Sequence, residues 1–195
     1  MKVVVPLAEG FEEIEFVTIV DILRRADVEM VVASLGEKGG TGGVASRDVG
    51  AVEGSHGIRI LPDSVLADID PEDFDAVVLP GGYPGFVNLG EDERVLALIR
   101  RMNDAGKHVA AICGAPSVLV KAGVVEGRCA TIHPAGRKDL TNDQYVDDRV
   151  VVSGKLITSK AAGTAMEFAL RLVGEFVGEE RMRRLAGEIM AEGEV

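Results

Sequence analysis

Residues 108–120 read HVAAICGAPSVLV and carry one of the two cysteines of the chain at their centre. The apolar run Val109–Ile112 predicts a strand that is buried on both faces. Pro116–Ala122 is typical of a helix that begins with proline. Cys113 therefore lies in a strand-to-helix turn, and in an α/β protein such turns at the carboxyl edge of the sheet are where ligands bind.

Two interpretations of Cys113 follow from this position. A nucleophile on a tight strand-to-helix turn needs small neighbours, and Ala111 and Ala115 stand two residues away on either side. The N-terminus of the following helix would also lower the pKa of the thiol. The alternative is a buried cysteine that acts only as a small hydrophobic residue. The geometry favours the nucleophile and leaves the alternative open.

Strand-like and helix-like segments alternate on both sides of this turn. This alternation predicts an α/β fold with a mostly parallel sheet and helices on both faces. The predicted strands are Lys2–Pro6, Glu29–Ser34, Ala76–Leu79, Val109–Ile112, Cys129–Ile132, Val150–Val152 and Leu156–Thr158. The predicted helices are Glu12–Ala26, Asp92–Ala105, Pro116–Ala122, Gly163–Val177 and Glu179–Met190.

The length and the absence of a linker predict a single domain over residues 1–195. One segment, 36–57, breaks the alternation and is rich in glycine and serine, which predicts an exposed loop or hairpin. Its GGTGG at 39–43 could suggest a phosphate-binding loop. However, no Lys-Ser/Thr follows it, and a flexible turn is the better interpretation.

Composition restricts the function classes. Apolar residues make up 47% of the chain and aromatic residues 4%, which predicts an aliphatic core. A net charge of −11 argues against a nucleic-acid binder, because phosphate would be repelled. Two cysteines do not form a disulfide framework, and the apolar run at the N-terminus is too short for a signal peptide or a membrane span. We therefore expect a cytoplasmic protein with reduced thiols and no membrane association.

The first predicted helix, Glu12–Ala26, is apolar nearly all round when drawn at about 100° per residue. A sheet can cover only one side of it, so a second subunit is the simplest cover for the other, and this predicts a homodimer. The alternative is another layer of the same chain, such as the C-terminal helices. Glu15 lies inside the apolar stripe, where desolvation would raise the pKa of its carboxyl. Alternatively, Glu15 only caps the first turn.

Two further features could complete a site with Cys113. Pro80-Gly81-Gly82 ends a predicted strand, and glycine there lets backbone N–H groups approach a reacting oxygen, although an ordinary turn is the alternative. His133 follows another predicted strand and could act on Cys113 as an acid or a base. Cys129 and His133 are too few ligands for a metal site, and we expect neither a metal nor a cofactor.

Several motifs occur together in a characteristic order. They are EGFEEIE at 9–15, VDILRRA at 20–26, VVLPGG at 77–82, AAICGAP at 110–116, TIHP at 131–134 and ITSKAAGTAMEFAL at 157–170. With them, nearly the whole chain resembles the ThiJ/PfpI superfamily, in the branch of the Parkinsonism-associated deglycase (DJ-one). The resemblance implies a flavodoxin-like three-layer sandwich of the class I glutamine amidotransferase-like type, and a homodimer packed partly through the first helix.

The resemblance also implies roles for single residues. Cys113 would be the reactive cysteine and Glu15 a protonated glutamate bonded to it, with the backbone N–H groups of Gly82 and Gly114 as an anion pocket. His133 matches a nearby histidine, and Asp21 matches an acidic residue of the first helix that lies near that histidine.

The chain departs from the family pattern in two places. Gly114 stands where the protease-like branch has a histidine, which argues against a Cys-His peptidase. Arg47 lies in a familiar-looking ASRDV, but alignment through Leu61-Pro62-Asp63 places His56 at the dimer-contacting position instead, and makes 39–50 an insertion.

The implied function is a cofactor-independent cysteine enzyme. Its substrates would be α-oxoaldehydes, converted without glutathione, or glyoxal adducts of proteins and nucleotides. The alternative is a redox-sensing protective protein or chaperone in which Cys113 is oxidised to the sulfinate. An intracellular cysteine peptidase is a weaker alternative.

Overall fold

The computed structural model describes residues 1–36 and 50–195. The strands are β1 Lys2–Leu7, β2 Glu29–Ser34, β3 Val52–Glu53, β4 Arg59–Ile60, β5 Ser64–Val65, β6 Ala76–Leu79, β7 His108–Ile112, β8 Val150–Ser153 and β9 Leu156–Ser159. The helices are α1 Glu13–Arg25, α2 Gly85–Glu91, α3 Glu93–Asp104, α4 Pro116–Ala122, α5 Ala165–Phe176 and α6 Glu179–Glu188.

Within these residues, the strands of the central sheet follow the order β5-β2-β1-β6-β7-β9-β8. All neighbours in it are parallel except β8, which runs antiparallel to β9. Strands β3 and β4 form a separate antiparallel pair. The mostly parallel sheet predicted from the alternation of segments is confirmed, and β6 and β7 place their carboxyl ends side by side.

Successive side chains of the central strands point to opposite faces, and both faces are buried. In β1, Val3 and Val5 pack with α1, α5 and α6, whereas Val4 packs with α3 and α4. All three valines have no exposed surface. A sheet between two helical layers, the three-layer sandwich, is therefore what these apolar runs build.

Helix α1 packs against both the sheet and α5. Phe16, Ile19 and Leu23 are buried there, as an inward-facing stripe requires. Ile14 and Val17 remain 59% and 46% exposed. The C-terminal helix α5 thus covers part of the apolar surface of α1, and another part is left uncovered in the single chain.

The structure differs from the sequence-based elements in several places, and the short strands β4 and β5, for example, were not predicted. The strand predicted at Cys129–Ile132 is wrong, because only Ala130 forms a bridge, to Tyr145. At the next residue, the backbone bonds to a side chain and not to another strand, since the N–H of Thr131 donates to Oγ1 of Thr158. Helix α2 was not predicted, since its sequence GFVNLGE is short and carries two glycines.

Part of the segment predicted as a loop or hairpin, 37–49, lies outside the described residues, together with GGTGG and Arg47. Directly after it, β3 and β4 pair through Val52 with Ile60 and Glu53 with Arg59. In the described part of the chain, we find no helix with the length and the apolar composition needed to cross a bilayer.

Candidate active site

Cys113 follows β7 directly, in the predicted strand-to-helix turn. Its φ is +64°, in the left-handed region that residues with a Cβ rarely adopt. Backbone hydrogen bonds hold it there: its N–H donates to the carbonyl of Ser159 at 2.9 Å, and its carbonyl accepts from the N–H of His133 at 2.9 Å. The half-buried thiol is therefore presented by a strained turn that its neighbours over-determine.

Glu15 reaches the same place from the first turn of α1. Its side chain has no exposed surface, and Oε2 accepts a hydrogen bond from the N–H of Gly81 at 2.9 Å. Burial raises the pKa of Glu15 to about 7, a rise that the Cys113 thiol and the Gly81 N–H reduce. The turn is capped by Glu12, whose Oε2 accepts from the N–H of Glu15 at 2.8 Å. Capping is thus the work of Glu12, and the Glu15 carboxyl faces the site.

Gly81 is what allows the carboxyl and the thiol to approach each other. A Cβ at this position would lie 2.6 Å from the Cβ of Cys113 and 2.6 Å from Oε2 of Glu15. The adjacent Gly82 has a φ of +94° and packs closely against the backbone of Phe11 and Glu12. Gly81 therefore allows the close approach of the two side chains, and Gly82 allows the left-handed backbone conformation. Sequence reasoning had singled out Gly82, whereas Gly81 makes the hydrogen bond to the carboxyl.

The pKa of Cys113 is raised to about 12, by burial first, then by the charge of Glu15 and its hydrogen bond. Backbone N–H groups of Gly114 and Gly82 act in the opposite direction, as an anion pocket would. The prediction of a lowered thiol pKa is therefore wrong while Glu15 is ionised, because desolvation and a neighbouring negative charge outweigh the N–H groups. Protonation of Glu15 removes that charge, so formation of the thiolate is tied to proton uptake by Glu15.

The backbone N–H of His133 brings this residue to Cys113, because it donates to the Cys113 carbonyl. The half-buried imidazole begins the 3-10 helix Pro134–Asp139, where Nδ1 accepts from the N–H of Ala135 at 3.2 Å. In a neutral ring the proton then lies on Nε2. Asp21 is exposed and forms its ion pair with Arg25, one turn along α1, at 2.8 Å. The roles of both residues stay predictions.

His56 lies against α1, beside a second buried glutamate that the sequence analysis did not single out. Glu13 is 5% exposed, and its Oε1 accepts from the N–H of His56 at 2.6 Å. The Nδ1 of His56 lies 2.8 Å from Oε2 of Glu13, and this contact raises the pKa of the exposed imidazole. Burial alone would raise the pKa of Glu13, but the bonds from His56 outweigh it and lower this pKa. No local pattern could reveal this pair, since 43 residues separate its members.

Known proteins resemble this chain over most of its length. The pattern of the DJ-1/PfpI family matches residues 1–175. The chain belongs to the DJ-1/PfpI family. It is 44% identical over 182 residues to protein dj-1beta of Drosophila melanogaster, covering 92% of this chain and 91% of the relative.

Two other relatives carry names that state an activity. A glutathione-independent glyoxalase of Caenorhabditis elegans is 35% identical over 179 residues, covering 91% of this chain and 89% of the relative. A deglycase of Thermococcus kodakarensis is 34% identical over 166 residues, covering 84% of this chain and 92% of the relative.

Among solved structures, oxidized Toxoplasma gondii DJ-1 superposes with a TM-score of 0.88 at 33% identity, over 97% of both chains. The predicted membership of the DJ-1 branch and the flavodoxin-like, class I glutamine amidotransferase-like fold are both confirmed. Homologues with named glyoxalase and deglycase activities support a DJ-1-type activity in general for this chain.

Proposed function

We propose that this protein is a cofactor-independent cysteine enzyme that acts on α-oxoaldehydes, or on their adducts with amines of proteins and nucleotides. The observation that carries the proposal is the contact between the Cys113 thiol and the buried carboxyl of Glu15, which Gly81 makes possible. A carboxyl with a pKa of about 7 is present in both protonation states near neutral pH, as a proton shuttle requires. The names of the glyoxalase and deglycase relatives point to the same chemistry.

The first step forms a carbon–sulfur bond. The Glu15 carboxylate takes the proton of the Cys113 thiol, and the sulfur adds to the aldehyde carbon. The carbonyl oxygen becomes an alkoxide, which the N–H groups of Gly82 and Gly114 stabilise, and it receives the proton from Glu15. With an amine adduct, the sulfur displaces the amine from the carbinol carbon, and Glu15 passes the thiol proton to the leaving nitrogen. Both routes give the same hemithioacetal.

The second step moves a proton between two carbons. The Glu15 carboxylate removes the hydrogen from the former aldehyde carbon and returns it to the neighbouring ketone carbon, while the proton of the hemithioacetal hydroxyl moves to the ketone oxygen through an enediol. The product is a thioester of a 2-hydroxy acid. Water cleaves this thioester, with His133 as the assisting acid or base, and Cys113 recovers its thiol. The sum is one aldehyde and one water converted to one 2-hydroxy acid.

The decisive test is consumption of methylglyoxal in a buffer free of metal and glutathione. We expect the wild type to produce lactate. Cys113→Ser should lower kcat/KM by about 100-fold or more because the nucleophile is lost, and Glu15→Gln should do the same because the shuttle is lost. Cys129→Ser, which changes the exposed second cysteine, is the matched control and should retain the wild-type rate. A full rate in Cys113→Ser would refute the assignment of the nucleophile.

A second candidate, a redox sensor, rests on the same residues. A protonated Glu15 and the N–H groups of Gly82 and Gly114 would bind the oxygens of a Cys113 sulfinate. The similar Toxoplasma gondii structure is described as oxidized.

Peroxide titration followed by intact mass tests the sensor in a Cys129→Ser background. We expect a species with two added oxygens, about 32 Da heavier, before any with three, because hydrogen bonds stabilise the sulfinate. Cys113→Ser in the same background should show no such species. Direct passage to the three-oxygen species would contradict the sensor function.

We propose further that the protein forms a homodimer through α1. Ile14 and Val17 expose apolar surface on this helix. Ile58, which is 54% exposed, lies next to them, since its N–H donates to Oε1 of Glu13. The Glu13–His56 pair belongs to the same surface. An apolar patch with a polar pair at its edge supports a self-complementary contact about a two-fold axis.

A further inference from the structure

Three hydrogen bonds form a closed cycle between the start of α1 and the turn after β6. The N–H of Glu15 donates to Oε2 of Glu12 at 2.8 Å, and the N–H of Glu12 donates to the carbonyl of Gly81 at 3.0 Å. The N–H of Gly81 donates in turn to Oε2 of Glu15 at 2.9 Å. Each of the three residues therefore supplies one donor and one acceptor, and each holds the next in place.

This cycle differs from the usual capping box at the start of a helix. In a capping box, the side chain of the third helical residue accepts a hydrogen bond from the N–H of the N-cap residue. Here Glu12 is the N-cap and Glu15 is the third residue of α1. Because Gly81 accepts from the N–H of Glu12, the Glu15 carboxyl bonds to Gly81 instead and also contacts the Cys113 thiol.

The residue type at the N-cap also differs from the usual one. Serine, threonine, aspartate and asparagine are preferred there, whereas Glu12 has a longer, half-buried side chain. Its negative charge adds to the effect of burial and raises the pKa of Glu15, while the Cys113 thiol and the Gly81 N–H act in the opposite direction. A neutral serine would satisfy the same N–H without this charge, so capping alone does not account for a glutamate at this position.

We propose that Glu12 is a positioning residue of the candidate active site, because its side chain fixes the first turn of α1 and so keeps the Glu15 carboxyl on the Gly81 N–H, beside Cys113. The charge of Glu12 also favours the protonated form of Glu15. This inference rests on the proposed function, in which Glu15 is the proton shuttle. Glu12 acts through Glu15 and takes no part in the reaction itself.

Kinetics with methylglyoxal test the positioning. We expect Glu12→Ala to lower kcat by about tenfold or more, because the carboxyl is no longer held in its reactive position. Glu12→Asp should restore most of the rate, since aspartate is a good N-cap and keeps the charge. An unchanged kcat in Glu12→Ala would overturn the proposal.

Asp70→Ala is the matched control for the loss of a cap. The exposed Asp70 caps the 3-10 helix Pro71–Asp73, where its Oδ1 accepts from the N–H of Glu72 at 3.0 Å. Both alanine variants should lose stability on the order of 1 kcal/mol, but only Glu12→Ala should lose rate. An equal loss of kcat in Asp70→Ala would show that the rate follows stability, and would contradict a positioning role.

The backbone amide of Gly81 reports the position of the carboxyl without turnover. Because its N–H donates to Glu15, its chemical shifts in ¹H–¹⁵N NMR spectra should change as Glu15 ionises, near pH 7 in the wild type. We expect Glu12→Ala to lose most of this change, and Glu12→Asp and Asp70→Ala to keep it. A full change in Glu12→Ala would contradict the positioning.

Glu12→Gln separates the charge from the hydrogen bond. Its side-chain oxygen still accepts from the N–H of Glu15, but the negative charge is lost. The change at the Gly81 amide should therefore keep its size and move to lower pH, whereas in Glu12→Asp it should stay at the wild-type pH. An unmoved change in Glu12→Gln would refute the effect of the charge.

The two measurements distinguish this inference from the proposed function. If the Gly81 amide responds as expected and no aldehyde is consumed, the proposed function fails and the positioning stands. If aldehyde is consumed and neither kcat nor the amide responds to Glu12→Ala, the positioning fails and the proposed function stands.

Discussion

The buried carboxyl of Glu15 is the group on which the proposed chemistry depends most. Its position in an apolar stripe predicts burial and a raised pKa, and both are found. Its partner could not be predicted, because the N–H of Gly81 is 66 residues away along the chain. The state of Cys113 depends on the same contact, since the charge of Glu15 raises the thiol pKa.

The pKa of Glu15 has a consequence for stability. A folded-state pKa of about 7, above the ordinary 4.5, means that the folded protein binds more protons than the unfolded chain between these values. The free energy of unfolding then falls as the pH rises from 4.5 to about 7. Glutamine cannot ionise and can still accept from Gly81. We expect Glu15→Gln to gain stability over the wild type on the order of 2 kcal/mol at pH 8, with little gain below pH 4.5.

Urea denaturation of both proteins at pH 4.5 and pH 8 measures this gain. The exposed Glu126→Gln is the control, and its difference from the wild type should be the same small value at both pH values. An equal gain for Glu15→Gln at both pH values would show that desolvation of the carboxylate does not burden the fold.

Helix α1 has two sides with different surroundings. Its inner side carries Glu15 to the Cys113 turn, and its outer side keeps Ile14 and Val17 exposed. Periodicity alone shows that this helix is apolar nearly all round, but it does not show which side α5 covers and which side stays exposed. That division follows from how the three layers pack.

Introduction of positive charge on this outer side tests the proposed homodimer. We expect the wild type to have the mass of a dimer in light scattering, and Ile14→Lys with Val17→Lys to have that of a monomer, because two buried cations on each side would lack partners. Val152→Lys is the matched control, because Val152 is 40% exposed on β8, the last strand in the order of the central sheet. The mass of this variant should stay that of the wild type. A monomeric wild type would refute the homodimer.

At the scale of the whole molecule, the parallel sheet gathers distant segments. The carboxyl ends of β6 and β7 lie side by side, so Gly81 and Cys113 become neighbours. Helix α1 adds Glu15, and the segment after Ala130 adds His133 through its bond to Cys113. Strands β6 and β7 and helix α1 were recognisable from the sequence because strand and helix periods show which side chains are buried. The segment that carries His133 was not, since its apolar run predicted a strand that the structure lacks.

Local periodicity and turn residues were enough to predict the sheet between two helical layers, the buried faces of its strands and the turn that presents Cys113. The raised thiol pKa, the Glu13–His56 pair and the contact of Phe86 with Gly114 follow only from the folded arrangement. Those properties depend on distances between groups far apart in the chain. Such distances are set by the packing of layers against one another, to within the width of a single Cβ at Gly81 and Gly114.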